Sequence, residues 1–369
     1  MTFSELDRQF MLRALTLAKR GQGRVEPNPM VGCVLVRGRR IVGEGYHRRF
    51  GGPHAEVEAL CRARASARGA TAYVTLEPCA HFGQTPPCTR ALIAGHIRRV
   101  LAPAEDPGPL VAGRGFRQLR SAGIRVDVGL CQAEAEQLNR PYFKMLRTGL
   151  PYVIAKWAQS LDGKIATRRG DSQWISGEGA RRLVHRLRAR VDAVIVGIGT
   201  VLADDPRLTA RDTRRRRVAA RMVLDTHLRT PPTASLFTAP LCAPVEIITI
   251  RSSVQRHSLR ARRLMAAGAD ITTVRSAGSR PSLVAFLRLL GDRGCTNVLV
   301  EGGEAVISAL LDRNLVDEVL AFVSPRLIGG RHAVQAFAGL GSSTLSATRA
   351  WPGVEVRRIG SDWLFRLRT

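Results

Sequence analysis

The sequence predicts two α/β domains in one chain. Three observations carry that reading. Helix-period and strand-period segments alternate along the chain. The pattern restarts near Arg147-Thr148-Gly149-Leu150-Pro151. A length of 369 residues with 45% hydrophobic content suffices for a core in each half. The boundary is placed at about residue 147, giving domains 1–147 and 148–369.

The elements follow in order. Ser4 to Lys19 reads as an amphipathic helix, capped by Ser4 with Asp7 at the third helical position. Phe10, Met11, Ala14, Leu15 and Ala18 share one face. Val31 to Val36 and Arg40 to Val42 form a hairpin around Gly38. Helices are expected at His54 to Arg64, Thr89 to His96, Gly113 to Ala122 and Ala133 to Met145. Strands are expected at Thr71 to Leu76, Arg99 to Ala102 and Ile124 to Val128. This half is then an α/β sandwich whose sheet is largely parallel after the opening hairpin. In the second half, strands are expected at Tyr152 to Ala158, Ala193 to Val196, Met222 to Leu224, Val245 to Ile250, Val298 to Val300 and Glu318 to Val323. Trp363 to Leu367 closes that sheet, and helices fall at Glu178 to Arg190, Pro281 to Leu290 and Ala305 to Leu311.

Composition narrows the function class. The formal net charge is +27, nearly all of the excess being arginine. Such a balance suits an anionic partner. The arginines are scattered, however, which reads as compositional bias, and the run Arg214 to Arg217 reads as a solvated loop. No run of eighteen apolar residues exists, so no membrane partner is expected. Residues 1–10 lack a basic stretch leading into an apolar segment, so no secretory signal is expected. Seven cysteines, an odd number in a long chain, suit reduced thiols in a cytoplasm.

His54-Ala55-Glu56, Pro78-Cys79 and Cys88 carry the first chemistry. One imidazole and two thiolates supply three zinc ligands and leave a fourth position open for water. All three are expected at N-terminal ends of helices, where the partial positive charge favours thiolate. Glu56 stands where a proton carrier is needed. Two residues apart in mid-helix, His54 and Glu56 would diverge, so the pairing requires a helix start. A closed structural zinc is the competing arrangement, with His81 as the nearest fourth ligand. The same set, His/Cys/Cys with a non-ligand Glu, resembles the zinc nucleobase deaminases. Their usual P-C-x-x-C ending is stretched here, with eight residues between the cysteines.

Longer segments sharpen the resemblance. Thr75 to Cys88 resembles the deaminase half of the bifunctional riboflavin-biosynthesis deaminase/reductase family. So do Pro27 to Gly32, Gly43 to His47, and Asp106 to Gly115. The resemblance implies a cytidine-deaminase-like α/β/α sandwich. It also implies a phosphorylated pyrimidine substrate carrying a phosphoribosylamino group, whose C2 amino group is replaced by oxygen. By match, Asn28, His47 and His81 line the base and sugar pocket. Two positions depart from the family: Gln84 stands where a basic residue is usual, and Gly108 where an asparagine is usual.

The second half lacks G-x-G-x-x-G after its first strand, which disfavours a Rossmann fold. It carries Val196 to Thr209, a strand ending in a glycine turn, and Glu301-Gly302-Gly303-Glu304-Ala305 between a strand and a helix. Glycines there let backbone N–H groups approach a phosphate. With Lys156 to Ala166 and Ser172 to Ser176, these segments resemble the reductase half of the same family, similar in fold to dihydrofolate reductase. The resemblance implies NADPH reducing a ribosyl group to ribityl. By position, Ala158, Trp174, Thr200, Asp204, Thr226 and the turn Gly303, Glu304, Ala305 contact NADPH. Ser172, Arg188, Leu208, Arg211 and Glu301 hold the substrate, with Arg188 and Arg211 suited to its phosphate. Lys156 and Glu301 are the groups to test for assisting proton transfer.

The expectation is a cytoplasmic homo-oligomer acting on small molecules in two steps, with one Zn²⁺ per chain and NADPH. The main alternative is a nucleic-acid deaminase, acting on tRNA for example, with a C-terminal binding domain. A 5% aromatic content with no stacking platform speaks against it.

Overall fold

A computed structural model of the chain describes residues 3–108, 111–238, 244–337 and 339–369. Pro109 and Leu110, within the Asp106 to Gly115 motif, lie outside the described residues. The chain divides into two compact units, Met1–Gly149 and Leu150–Thr369.

In the first unit the elements run α1 (Glu5–Ala18), β1 (Gly32–Arg37), β2 (Arg40–Tyr46), α2 (Ala55–Ala63), β3 (Thr71–Val74), α3 (Cys88–Ala94), β4 (Arg99–Ala102), α4 (Arg114–Ser121), β5 (Arg125–Val128), α5 (Gln132–Leu138) and α6 (Arg140–Thr148). The cap on α1 is as expected: Ser4 Oγ accepts from the Asp7 amide, and Asp7 accepts from the Ser4 amide in return. The sheet order is β2-β1-β3-β4-β5, with β1 antiparallel to both neighbours and β3, β4 and β5 parallel. Period-two alternation sorts the core. Cys33 and Leu35 pack with α2, α3 and α4, while Val34 and Val36 pack with α1 and α5 on the other face. The result is the expected α/β/α sandwich.

Close approach of α2 to β2 depends on missing side chains. A Cβ at Gly45 would lie 2.2 Å from the Ala55 carbonyl oxygen, and one at Gly43 2.3 Å from that of Ala59. These glycines set the height of α2, and with it the position of His54, over the sheet.

One expected helix is two. Ala133 to Met145 breaks at Asn139, which has φ −104° and ψ 19°. Pro141 starts the second piece because it has no amide hydrogen to give the first. The Asn139 side chain turns instead to Met30, accepting from its amide at 2.8 Å and donating to its carbonyl at 3.0 Å.

The second unit opens with β6 (Tyr152–Ser160), β7 (Lys164–Ala166), α7 (Glu178–Arg188), β8 (Ala193–Gly197), α8 (Ile198–Asp204), β9 (Ala220–Leu224) and β10 (Val245–Thr249). It continues through α9 (Arg251–Arg256), α10 (Ser258–Ala266), β11 (Ala269–Thr273), β12 (Ser276–Ala277), β13 (Arg280–Pro281) and α11 (Leu283–Asp292). It ends with β14 (Asn297–Glu301), α12 (Glu304–Leu311), β15 (Glu318–Ser324), β16 (Val334–Gln335), β17 (Gly353–Ile359) and β18 (Asp362–Arg368). The main sheet has the order β11-β10-β9-β8-β14-β6-β15-β18-β17. It is parallel from β11 to β15; β18 and β17 are antiparallel. Helices α7 and α10 cover one face and α11 and α12 the other.

Two expectations are corrected, and elements appear in a stretch where none was expected. The segment after β8 is not a plain glycine turn but enters α8, so Thr200 and Asp204 lie on a helix. Helices α9 and α10 and strand β11 form where the arginine-rich sequence hid the apolar stripe: Ala261 and Leu264 alone are buried on α10. Trp363 to Leu367 does not close the sheet, since β17 pairs on its outer side. Among the described residues, no helix is long and apolar enough to cross a membrane. The six cysteines described are all free.

Candidate active sites

In the first unit His54 is the N-cap of α2, with φ −76° and ψ 166°. Its ring makes no capping bond, which leaves it facing the cysteines. Its Nδ1 lies 3.6 Å from Cys79 Sγ and 3.2 Å from Cys88 Sγ. The helix start places His54 and Glu56 on one pocket, as their pairing requires. Cys88 opens α3, with Pro87 before it. Cys79 does not begin a helix; it sits in irregular chain after β3. It still meets a helix terminus, because the Cys88 amide donates to its sulfur at 3.3 Å.

The three ligand atoms lie within 4.8 Å of one another. Tetrahedral zinc with bonds of about 2.0 Å to nitrogen and 2.3 Å to sulfur needs N···S separations of about 3.5 Å. The donor set and its spacing therefore fit zinc. His81 is not part of this cluster, so no fourth side chain closes it among the described residues. Hydrogen bonds from Cys88 and His54 hold the Cys79 thiol below its ordinary value, as suits a thiolate ligand, while Cys88, its hydrogen-bond partner, is pushed up in the absence of a shared cation. Glu56 is buried, and burial pushes its carboxyl up to about 7. Its Oε2 has no hydrogen-bond partner, and neither does the buried Nδ1 of His81. Both residues line the same pocket, together with Asn28 and His47.

His47 is held in place from two sides. Its Nδ1 lies 3.1 Å from the Pro53 carbonyl and its Nε2 3.3 Å from Asn28 Nδ2. Burial lowers its pKa, so the ring is neutral, Nδ1–H donates to Pro53 and Nε2 accepts from Asn28. Asn28 is thereby oriented with its amide oxygen left free of His47. Sequence reasoning missed Glu77, Asp106 and Tyr142. Buried Glu77 accepts from the amides of Asp106, Gly113, Gly115 and Phe116 at 2.8 to 3.3 Å. It ties the loop before α4 to the turn that carries Cys79. A glutamate directly before Pro78-Cys79 was the available signal.

In the second unit Glu301 ends β14 and Thr226 follows β9, both at the C-terminal edge of the parallel strands, the usual ligand edge of such sheets. Lys156 on β6 is the register partner of Glu301, the last residue of β14. Arg188, at the end of α7, donates from Nε and Nη2 to the two oxygens of Glu301 at 2.5 and 2.8 Å. Its Nη1 donates to the Thr209 carbonyl at 3.2 Å. The guanidinium fork expected to grip a phosphate is thus turned onto Glu301. Burial pushes Glu301 up, but Arg188 and then Lys156 outweigh it and hold the carboxyl below its ordinary value. Burial lowers Lys156, with Glu301 opposing.

Ser172 and Asp204 meet, Oγ donating to Oδ1 at 2.8 Å. Gly302 and Gly303 have φ of 61° and 78°. A Cβ at Gly303 would lie 3.0 Å from Thr200 Oγ1. This turn leads into α12, and only glycine fits it, because of its positive φ and the nearby Thr200 hydroxyl. Trp174 is 59% exposed, with the Arg181 guanidinium 4.7 Å above its ring. Leu208 is buried with φ 54°, Arg211 is exposed, and Thr226 follows β9, its carbonyl accepting from Thr249. Ala158 is half-buried on β6, while Glu304 and Ala305 open α12.

Residues 4–103 match the model of the cytidine and deoxycytidylate deaminase zinc-binding region. Residues 151–365 match the RibD C-terminal domain, in the segment the nucleic-acid alternative gave to a binding domain. The chain is 41% identical to the riboflavin biosynthesis protein RibD of Aquifex aeolicus over 88% of each chain. It is 41% identical to RibD of Escherichia coli over 96% of this chain and 97% of that one. A solved structure of Acinetobacter baumannii RibD superposes with TM-score 0.87 at 37% identity, covering 99% of both chains. A Thermotoga maritima diaminohydroxyphosphoribosylaminopyrimidine deaminase/5-amino-6-(5-phosphoribosylamino)uracil reductase superposes with TM-score 0.84 at 36% identity and 98% coverage of both chains. A zinc-binding deaminase unit and an NADPH-dependent reductase unit thus share one polypeptide, and this chain belongs to the RibD family of bifunctional riboflavin-biosynthesis enzymes.

Proposed function

We propose that this chain deaminates 2,5-diamino-6-(5-phosphoribosylamino)pyrimidin-4(3H)-one and then reduces the ribosyl group of the product to ribityl. The substrates are those named for the Thermotoga maritima relative. The observation that carries the first step is the triad His54, Cys79 and Cys88 beside the partnerless Glu56 oxygen in one pocket.

His54, Cys79 and Cys88 would hold zinc, which when bound would supply Lewis acidity and a water nucleophile active at neutral pH. Glu56 takes a proton from the attacking water, passes it to the ring nitrogen, and then delivers one to the departing amino group. Water is consumed and ammonia leaves. Asn28, oriented by His47, presents its free amide oxygen to an amino group of the pyrimidine. His81 offers Nδ1 to the same ligand.

In the reductase unit NADPH, when bound, would supply the hydride. Thr200, Asp204, Thr226, Ala158, Trp174 and the turn Gly303, Glu304, Ala305 position it. Lys156 is the acid that protonates the sugar oxygen on reduction, and the negative charge of Glu301, its register partner, favours its ammonium form. Arg188 acts by gripping Glu301, so the exposed Arg211 is left to meet the substrate phosphate. Ser172 and Leu208 complete the sugar side. The partners are small phosphorylated pyrimidines, and a homo-oligomer is the assembly proposed. The test is ammonia release and NADPH oxidation by purified protein with the diaminopyrimidine ribotide, with and without a zinc chelator. Ammonia release that persists without zinc contradicts the first step.

A further inference from the structure

We propose that Tyr142 is a positioning residue of the deaminase pocket, which it serves by fixing the carboxylate of Asp106. The inference rests on the deaminase reading above. Tyr142 lies on α6 and Asp106 in the loop before α4, yet both line the pocket that holds His54 and Glu56. Both lie past residue 103, where the match to the general deaminase zinc-binding region ends.

The geometry is specific. The Tyr142 hydroxyl donates to the Asp106 carboxylate, 3.0 Å from Oδ2 and 3.1 Å from Oδ1. The Gly108 amide donates to Oδ1 at 2.8 Å. The Asp106 amide is itself fixed, donating to Glu77 at 3.0 Å. Asp106 is 5% exposed. Its carboxylate is acceptor-only, with about four lone-pair sites, and these donors leave one or more unfilled. A buried oxygen of this kind takes a hydroxyl or amino hydrogen of a bound ligand and repels a phosphate.

Gly108 makes the arrangement possible. A Cβ there would lie 2.9 Å from Asp106 Oδ1 and 3.7 Å from the Tyr142 hydroxyl oxygen. Any side chain at 108 would displace the carboxylate from its present place. Tyr142 is spent on Asp106 rather than on the reacting atoms, so its loss acts on substrate binding more than on turnover.

The test is steady-state ammonia release by zinc-loaded, full-length Tyr142→Phe against ribotide concentration. Loss of one hydrogen bond to a charged group predicts a KM about tenfold higher with kcat within about twofold. Zinc content stays equal to wild type. An unchanged KM overturns the proposal, and so does a fall confined to kcat. In an Asp106→Asn background, adding Tyr142→Phe changes KM less than about twofold, because the two act as a unit. Full additivity places Tyr142 elsewhere in the mechanism and overturns the proposal. Should Tyr142→Phe lose zinc or fold poorly, Gly108→Ala moves the same carboxylate with Tyr142 intact. The same KM rise supports the proposal, and wild-type KM overturns it. Wild type that releases no ammonia defeats the deaminase reading instead, so the two failures are distinguishable.

Discussion

The backbone amide of Cys88 donates to the sulfur of Cys79 at 3.3 Å. The eight residues between the two cysteines therefore bring the first turn of α3 back onto the earlier ligand. A long loop does here what two residues do in P-C-x-x-C. Cys88→Ser removes a thiolate but keeps this amide. Zinc content is expected to fall at least tenfold and ammonia release with it, while NADPH oxidation on supplied deaminated intermediate continues. Metal analysis beside the two assays checks this, and full zinc occupancy in Cys88→Ser refutes the ligand assignment.

Glu56→Gln keeps the shape of the buried side chain but removes its base. Zinc content stays unchanged and deamination falls by about 10² to 10⁴, the range for a positioned acid–base group. Reduction of supplied intermediate proceeds as in wild type. Loss of both activities in a folded variant contradicts separate sites.

Gly45→Ala tests the packing that seats His54. The new methyl would lie 2.2 Å from the Ala55 carbonyl, and backbone cannot step aside as a flexible side chain does. Overpacking of this kind costs about 1–3 kcal/mol. Denaturant midpoints are expected to fall accordingly, with weaker zinc retention during dialysis.

Arg188→Met leaves the buried Glu301 charge without its fork. Breaking such a pair from one side costs about 3–5 kcal/mol. The reductase unit is expected to melt earlier and to lose NADPH oxidation, while ammonia release persists. Equal melting temperatures in wild type and variant contradict the pairing.

The same pair sets an acid limit. Glu301 ionises at lower pH in the folded unit than in the unfolded chain, because Arg188 and Lys156 outweigh its burial. Its contribution to stability is complete above the ordinary glutamate value of 4.5. It is lost as pH falls below that value and through the lower folded one. Denaturant midpoints measured from pH 6 down to pH 3 are expected to fall less steeply in Glu301→Gln than in wild type.

The sequence by itself determined the chemistry of the first site. Ligand type, the proline-flanked cysteines and the helix start before Glu56 are local features, and local backbone rules place them. It also determined the alternation of helices and strands, because burial on a sheet or helix face imposes its period on the chain. Tertiary structure alone decided which distant groups share a pocket. Asp106 and Tyr142 meet across 36 positions, Asn139 and Met30 across 109, and Arg188 and Glu301 across 113. Nothing in local spacing marks these pairs, since each is made by a crossover of the fold. The destination of Arg188 is the sharpest case. A guanidinium suits phosphate and carboxylate equally well, and only the packing of α7 against the sheet brings Glu301, at the end of β14, within its reach.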